Sequence, residues 1–288
     1  MTKDDYDFHL KDTYKMDDTS LNNLSEVAVP SGAVVRPHIY KHELLQSFSL
    51  HLFAKRKVQK IVTMEEFKNS LARRIVLAAL QIRLNVNGRG DDPPFTFVEF
   101  NQLDSPREGC AVCSLDLMAE NDRWREALVM AVSEIRRLGK FGLTEGEMMR
   151  YAGALLSDSA QVAAQGDRIS HSDQLSYLME TVACGHAFMT PMQSYQMTDK
   201  ALGELSLEDV NAAAKELCSH VLSMGEAENV KIEGPVIAIA CSPKSGTSPG
   251  VEECNEKTLV EALLEASNLD VLPEEDISVP RSLVSEAR

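Results

Sequence analysis

No catalytic signature stands out in these 288 residues. The chain has no His-Glu-x-x-His, no Gly-x-Ser-x-Gly and no phosphate-binding loop ending in Lys-Ser/Thr, so the usual sequence marks of zincins, α/β-hydrolases and P-loop enzymes are missing. No apolar run approaches the ~18 residues of a membrane span. Basic residues are a minority, 29 Lys and Arg against 44 Asp and Glu, and the formal net charge of −15 disfavours nucleic acid as a partner. The imbalance is uneven. Residues 1–30 carry seven acids against three Lys, and 251–288 ten acids against three basic residues, so the ends hold most of it. The opening "MTKDDYDFHLKD" is too acidic for a transit peptide and too polar for a secretory signal. Either the protein stays where it is made, or this is an internal piece of a longer chain.

What is present is enough apolar sequence, 44%, for a substantial core. One short stretch imitates a metal motif. "HIYKHE", His38 to Glu43, differs by one letter from His-x-x-Glu-His, in which two helical His hold zinc and the Glu is the base. Lys41 stands at the base position, where an ammonium cannot accept a proton and would repel the metal. The alternating "HELLQSFSLHLF" that follows reads as a strand, on which residues i and i+4 lie about 13 Å apart, too far to share an ion. The motif therefore reads as two ordinary His leading into a strand. Cys110 and Cys113 form a Cys-x-x-Cys without a second pair, on a stretch that also reads as a strand. All six Cys are expected to be buried reduced thiols. His171 and His186 fall on expected helices without ligand spacing, and Cys218 and His220, two apart, do not share a helix face. The basic "KRKVQK", Lys55 to Lys60, reads as a solvated turn.

Hydrophobic periodicity gives the elements. Residues 44–54 alternate, with Leu44, Phe48, Leu50 and Leu52 on one face. Thr63 and Glu66 make a capping box for a helix whose stripe is Phe67, Leu71, Ile75, Ala79 and Ile82. "NGRGDDPP" is a loop, followed by strands at "FTFVEFNQL" and "CAVCSLDLMAE". Asp122 opens a helix with Trp124, Leu128, Val132, Ile135 and Leu138 facing inward. Thr144 and Glu147 cap the next. Helices follow at 172–184 and, capped by Ser206, over 206–222. Then come a buried strand at 234–244 and one short helix at 256–267. This order predicts an α+β domain, a mostly antiparallel sheet with helices packed on one face and acidic flexible tails. The expected division is a polar lead-in or linker at 1–34, the lobe at 35–244 and an acidic linker or tail at 245–288.

Longer stretches resemble a known family. "W-x-x-A-L-x-x-A-V-x-E-I-R-R-L-x-x-F-G-L-T-E-G-E", ending at Glu147, is similar to a lobe of the pitrilysin/insulinase family of zinc metalloendopeptidases. "KHELLQSF", "PPFTFVEF", "SPREGCAV" and "MMRYAGALLSDS" resemble, more narrowly, a chloroplast branch of that family, in the lobe that follows the catalytic one. The resemblance covers about 36–220. It implies an α+β lobe that helps enclose a substrate, zinc in the parent enzyme, and removal of transit peptides from imported precursors in the chloroplast stroma. The implied partners are the catalytic lobe of the same polypeptide and unfolded basic transit peptides. No metal ligand of the family can be placed on this chain. No catalytic, cofactor-binding or metal-binding residue is therefore expected here, and the chain is expected to be inactive alone. The alternative is an inert binding or assembly protein built on the same lobe.

Overall fold

A computed structural model describes residues 37–88, 92–105, 110–222, 236–244 and 252–276. The lead-in at 1–34 and residues 89–91 of the "NGRGDDPP" loop lie outside them. The order is β1 (His38–His42), β2 (Phe48–Lys57), α1 (Met64–Asn87), β3 (Phe97–Ser105), β4 (Cys110–Ala119), α2 (Trp124–Phe141), α3 (Glu145–Ala164), α4 (His171–Ala183), α5 (Pro191–Glu204), α6 (Leu207–Leu222), β5 (Val236–Pro243) and α7 (Glu256–Asn268). The five described strands form one mixed sheet in the order β1-β5-β2-β4-β3. Only the β1–β5 pair is parallel.

Alternation makes the sheet two-sided. Phe48, Leu50 and Leu52 of β2 are fully buried, while His51 between them is exposed. In register with them, Leu115 and Leu117 of β4 and Ala238 and Ala240 of β5 join the same core face. The described helices cover that face alone, with Trp124, Leu128 and Ile135 of α2 and Leu71 and Ile75 of α1 packed into the core. The α+β expectation is thus met. Leu44 departs from its expected place. It precedes β2 and is 82% exposed, because the chain turns at 43–44 and the strand begins four residues later. "KRK" (55–57) closes β2 rather than forming a turn.

A buried charge cluster ties three helices together. Arg83 of α1 donates from Nε and Nη2 to the two carboxylate oxygens of Glu147, at 2.8 and 2.6 Å. Its Nη2 also reaches the Gly142 carbonyl at 3.3 Å, and its Nη1 lies 3.7 Å from Glu134 of α2. Glu147 also caps α3, accepting the Thr144 N–H, so one carboxylate serves the helix start and the ion pair. Burial would push the Arg83 guanidinium down, but the Glu147 hydrogen bonds and the charges of Glu147 and Glu134 carry it above its ordinary value. For Glu147, burial is likewise outweighed, by Arg83 and the Thr144 backbone, and its carboxyl lies below the usual range. The α2–α3 turn needs Gly142. Its φ is +77°, and a Cβ there would meet the Asn211 amide at 2.3 Å. That amide's oxygen accepts the Leu143 N–H at 2.8 Å.

The expected tail requires a correction over 252–276. Its short helix is present as α7, but it is no tail. Leu259, Ala262, Leu263 and Ala266 recur at i, i+3, i+4 and i+7 and are buried against α2. Several of its acids are paired with α2. Arg125 of α2 holds Glu252 through two hydrogen bonds and Glu265 through a third. Arg137 pairs with Glu274, and Arg136 donates to the carbonyls of Ala266 and Leu269 at the end of α7.

Candidate functional site

Two places collect chemistry-bearing side chains, and neither coincides with the imitation motif. "HIYKHE" forms β1, not a helix. His38 and His42 are exposed on the open side of the sheet, and the strand spacing keeps them about 13 Å apart. Lys41 pairs with Glu253, and His42 Nδ1 accepts the Leu44 N–H at 3.1 Å. Cys110 and Cys113 are buried free thiols on β4. Cys241 is the one described Cys that is not buried. His171 is exposed at the start of α4. His220 is buried on α6 and stacks on Phe100.

The first place surrounds His186. It follows α4 instead of lying on a helix, because Gly185 at φ +70° turns the chain. Ligand atoms of His186, Asp104 and Cys184 lie within 4.8 Å of one another, near enough to consider a metal. The hydrogen bonds decide against it. His186 Nδ1 accepts the Ile61 N–H at 3.1 Å, so the neutral ring carries its proton on Nε2, 3.3 Å from Asp104. A metal at Nε2 would force the proton onto Nδ1, against the Ile61 donor. Burial pushes the Cys184 thiol up, and the charges of Asp104 and Glu180 add to the effect, so a thiolate is disfavoured. These residues do not fit zinc. They form a clamp, completed by the Ala187 N–H on the Ile61 carbonyl at 2.7 Å, that fixes the segment after α4 to the connection before α1. Beside it lies a cleft of 330 Å³, lined by Arg73, Arg74, Asp104, Tyr177 and Thr181 among others.

The second place is the open face of the sheet. In register across all five strands stand Glu99, Asp116, His51, Ile239 and His38. His51 Nδ1 lies 2.5 Å from Asp116 Oδ1, and Ser114 donates to Asp116 Oδ2 at 2.9 Å. The three residue types of a hydrolytic triad are thus together in the wrong order. The carboxylate, not the imidazole, receives the hydroxyl, so Ser114 is not activated. Glu99 and Asp116 are like charges directly opposite, with the imidazole beyond them. Around the row are exposed Tyr40, Phe97, Leu103 and Met118. Such a face suits an extended, mixed polar and apolar segment rather than a small molecule. Only register assembles the row, so the sequence alone did not single it out. The period-2 placement of His51 and Asp116 opposite buried residues was the available signal.

The comparisons with known proteins agree with this architecture. No family model matches the chain. The chloroplast stromal processing peptidase of Pisum sativum is 36% identical over 257 residues, 87% of this chain. The chain spans only 20% of that relative's length. Among solved structures, the first half of the periplasmic protease PqqL from Escherichia coli superposes with a TM-score of 0.65 at 12% identity, covering 84% of this chain and 48% of that one. A predicted insulinase family protease from Yersinia pestis gives a TM-score of 0.62 at 15% identity, covering 81% of this chain and 46% of that one. At such identities the likeness concerns the fold, while the plant relatives carry the kinship in sequence. The chain belongs to the pitrilysin/insulinase family of peptidases, as one lobe similar in sequence to a fifth of the chloroplast stromal processing peptidase.

Proposed function

We propose that this chain is a non-catalytic lobe of a zinc metalloendopeptidase that removes transit peptides from imported precursors in the chloroplast stroma. The observation that carries the reading is the one-sided sheet. Helices cover one face, and the other, with Glu99, Asp116, His51 and exposed apolar side chains, is left to enclose an unfolded segment. Kinship with a fifth of the stromal peptidase supplies the substrate class. The catalytic lobe of the same polypeptide is the partner, and it supplies the zinc. Zinc, when bound there, polarises the scissile carbonyl and activates water. Among the described residues here, the His186 cluster does not fit it. The lobe is taken to run from about 37 to 276, because α7 shares its core.

Transit peptides are basic and poor in acid. Glu99 and Asp116 would attract them over about 8 Å at physiological salt. The test is hydrolysis of a model transit peptide by the 288-residue chain, with and without the catalytic lobe added in trans. The expected result is no cleavage by the chain alone and faster cleavage on mixing. Zinc-dependent cleavage by the chain alone would refute the non-catalytic assignment.

A further inference from the structure

Helix α4 presents its apolar side away from its own lobe. Leu175, Leu178, Met179 and Val182 recur at i, i+3, i+4 and i+7, the spacing of a buried stripe, yet they are 57%, 39%, 64% and 67% exposed. The helix meets its own lobe near its C-terminal end. Thr181 is buried, and Cys184 just beyond the helix is too. Tyr177 lines the 330 Å³ cleft between α4 and α1. The segment after α4 is held by the His186 clamp, which anchors the C-terminal end of the helix while its stripe faces outward.

From this we infer that the α4 stripe is a docking surface for another lobe of the same polypeptide, an inference that rests on the reading of the chain as one lobe of a larger peptidase. The stripe exposes on the order of 400 Å² of apolar surface, a size at which patches on a monomer are functional. A free-standing partner generally needs about 800 Å² from each side. Half that area suffices when the partner is tethered, because a short tether supplies an effective concentration near millimolar. Four-fifths of the length of the curated relatives lies outside the region this chain matches, so tethered partners are at hand. The fold also fills 48% of the first half of PqqL, which leaves room in that one chain for a second lobe of similar size. A membrane is a poor occupant. Helices that lie on bilayers carry Lys and Arg on the polar side, and α4 has neither.

The test replaces the stripe by charge, Leu175→Glu, Met179→Glu and Val182→Glu together. Association of the 288-residue chain with the separately produced remainder of its polypeptide is titrated, and thermal unfolding of the chain is followed in parallel. The expected result is at least a tenfold rise in Kd with an unchanged unfolding temperature. Should the triple variant misfold, Met179→Glu alone, at the centre of the stripe, is expected to raise Kd severalfold. Equal Kd for wild type and variant would overturn this surface while leaving the lobe assignment intact. A wild-type chain that binds none of the remainder would remove the lobe assignment, and this inference with it. A wild-type dimer that the substitutions dissolve would also overturn the inference, because the occupant would be a second copy of the chain.

Discussion

Replacing Glu147 by Ala tests the account of the buried charge cluster. The carboxylate takes two hydrogen bonds from Arg83, and the Arg83 side chain is only 6% exposed. Its removal leaves a guanidinium facing only Glu134 at 3.7 Å and the Gly142 carbonyl. Breaking one side of such a buried pair costs about 3–5 kcal/mol, and losing the carboxylate half of the α3 capping box adds about 1 kcal/mol or less. A loss of about 4 kcal/mol lowers the midpoint of thermal unfolding by roughly 8–16 °C for a lobe of this size. The double change Arg83→Met with Glu147→Leu removes both charges and is expected to recover more than half of the loss. Urea unfolding at pH 7 measures all three proteins. The effect also has a pH sign. Glu147 lies below its ordinary value when folded, so its contribution is complete above the unfolded value near about pH 4 and fades as pH falls through the folded one. Wild type and Glu147→Ala should therefore converge in strong acid and differ most at neutral pH. A loss under ~1 kcal/mol, or a gap that widens on acidification, would refute the reasoning.

Three further outcomes follow from the same structure. Leu263→Ala, in the stripe of α7, should destabilise by about 2–4 kcal/mol in urea unfolding, whereas the same change in a solvated tail would cost nothing. Added zinc should give no site lost on His186→Ala in a metal-binding titration, because Nδ1 already accepts a backbone proton. Burial pushes the Cys254 thiol up to about 11, so iodoacetamide at pH 8 should label it only after unfolding, while the partly exposed Cys241 reacts in the native chain.

Features that depend on neighbours in sequence were legible before the structure. The boxes at Thr63–Glu66 and Thr144–Glu147 start their helices where expected. The α2 stripe from Trp124 to Leu138 is buried throughout. Features that depend on distant partners were not. The α1 stripe continues through Arg83, not through Ile82, which is 43% exposed. An Arg becomes a core residue only because Glu134 and Glu147 arrive from other helices. The capping box at Thr190–Gln193, with Pro191 at the first turn, was a readable signal for α5, but the polar composition around it concealed the helix. At α7 the helix was legible but its packing was not, because Arg125, Arg136 and Arg137, which hold Glu252, Glu265, Glu274 and the last carbonyls of the helix, lie on a helix more than a hundred residues earlier. The open-face row from Glu99 to His38 needed the strand register, which composition does not carry.

The place of β5 in the sheet has a consequence for how the lobe is made. β2, β3 and β4 all lie within residues 48–119, but β1 touches the sheet only through β5, which slots between it and β2. His38 must wait for Ile239 before it has any strand neighbour. On a growing chain the β2 edge therefore stays bare, with Leu50 and Leu52 beside it, until nearly the whole lobe has emerged. Closing so long a loop is slow, and a bare edge is where wrong strands add. A break anywhere between α1 and β5 would leave the same opening. The last strand thus acts as a latch, and the interval before it closes is when this lobe most needs a chaperone.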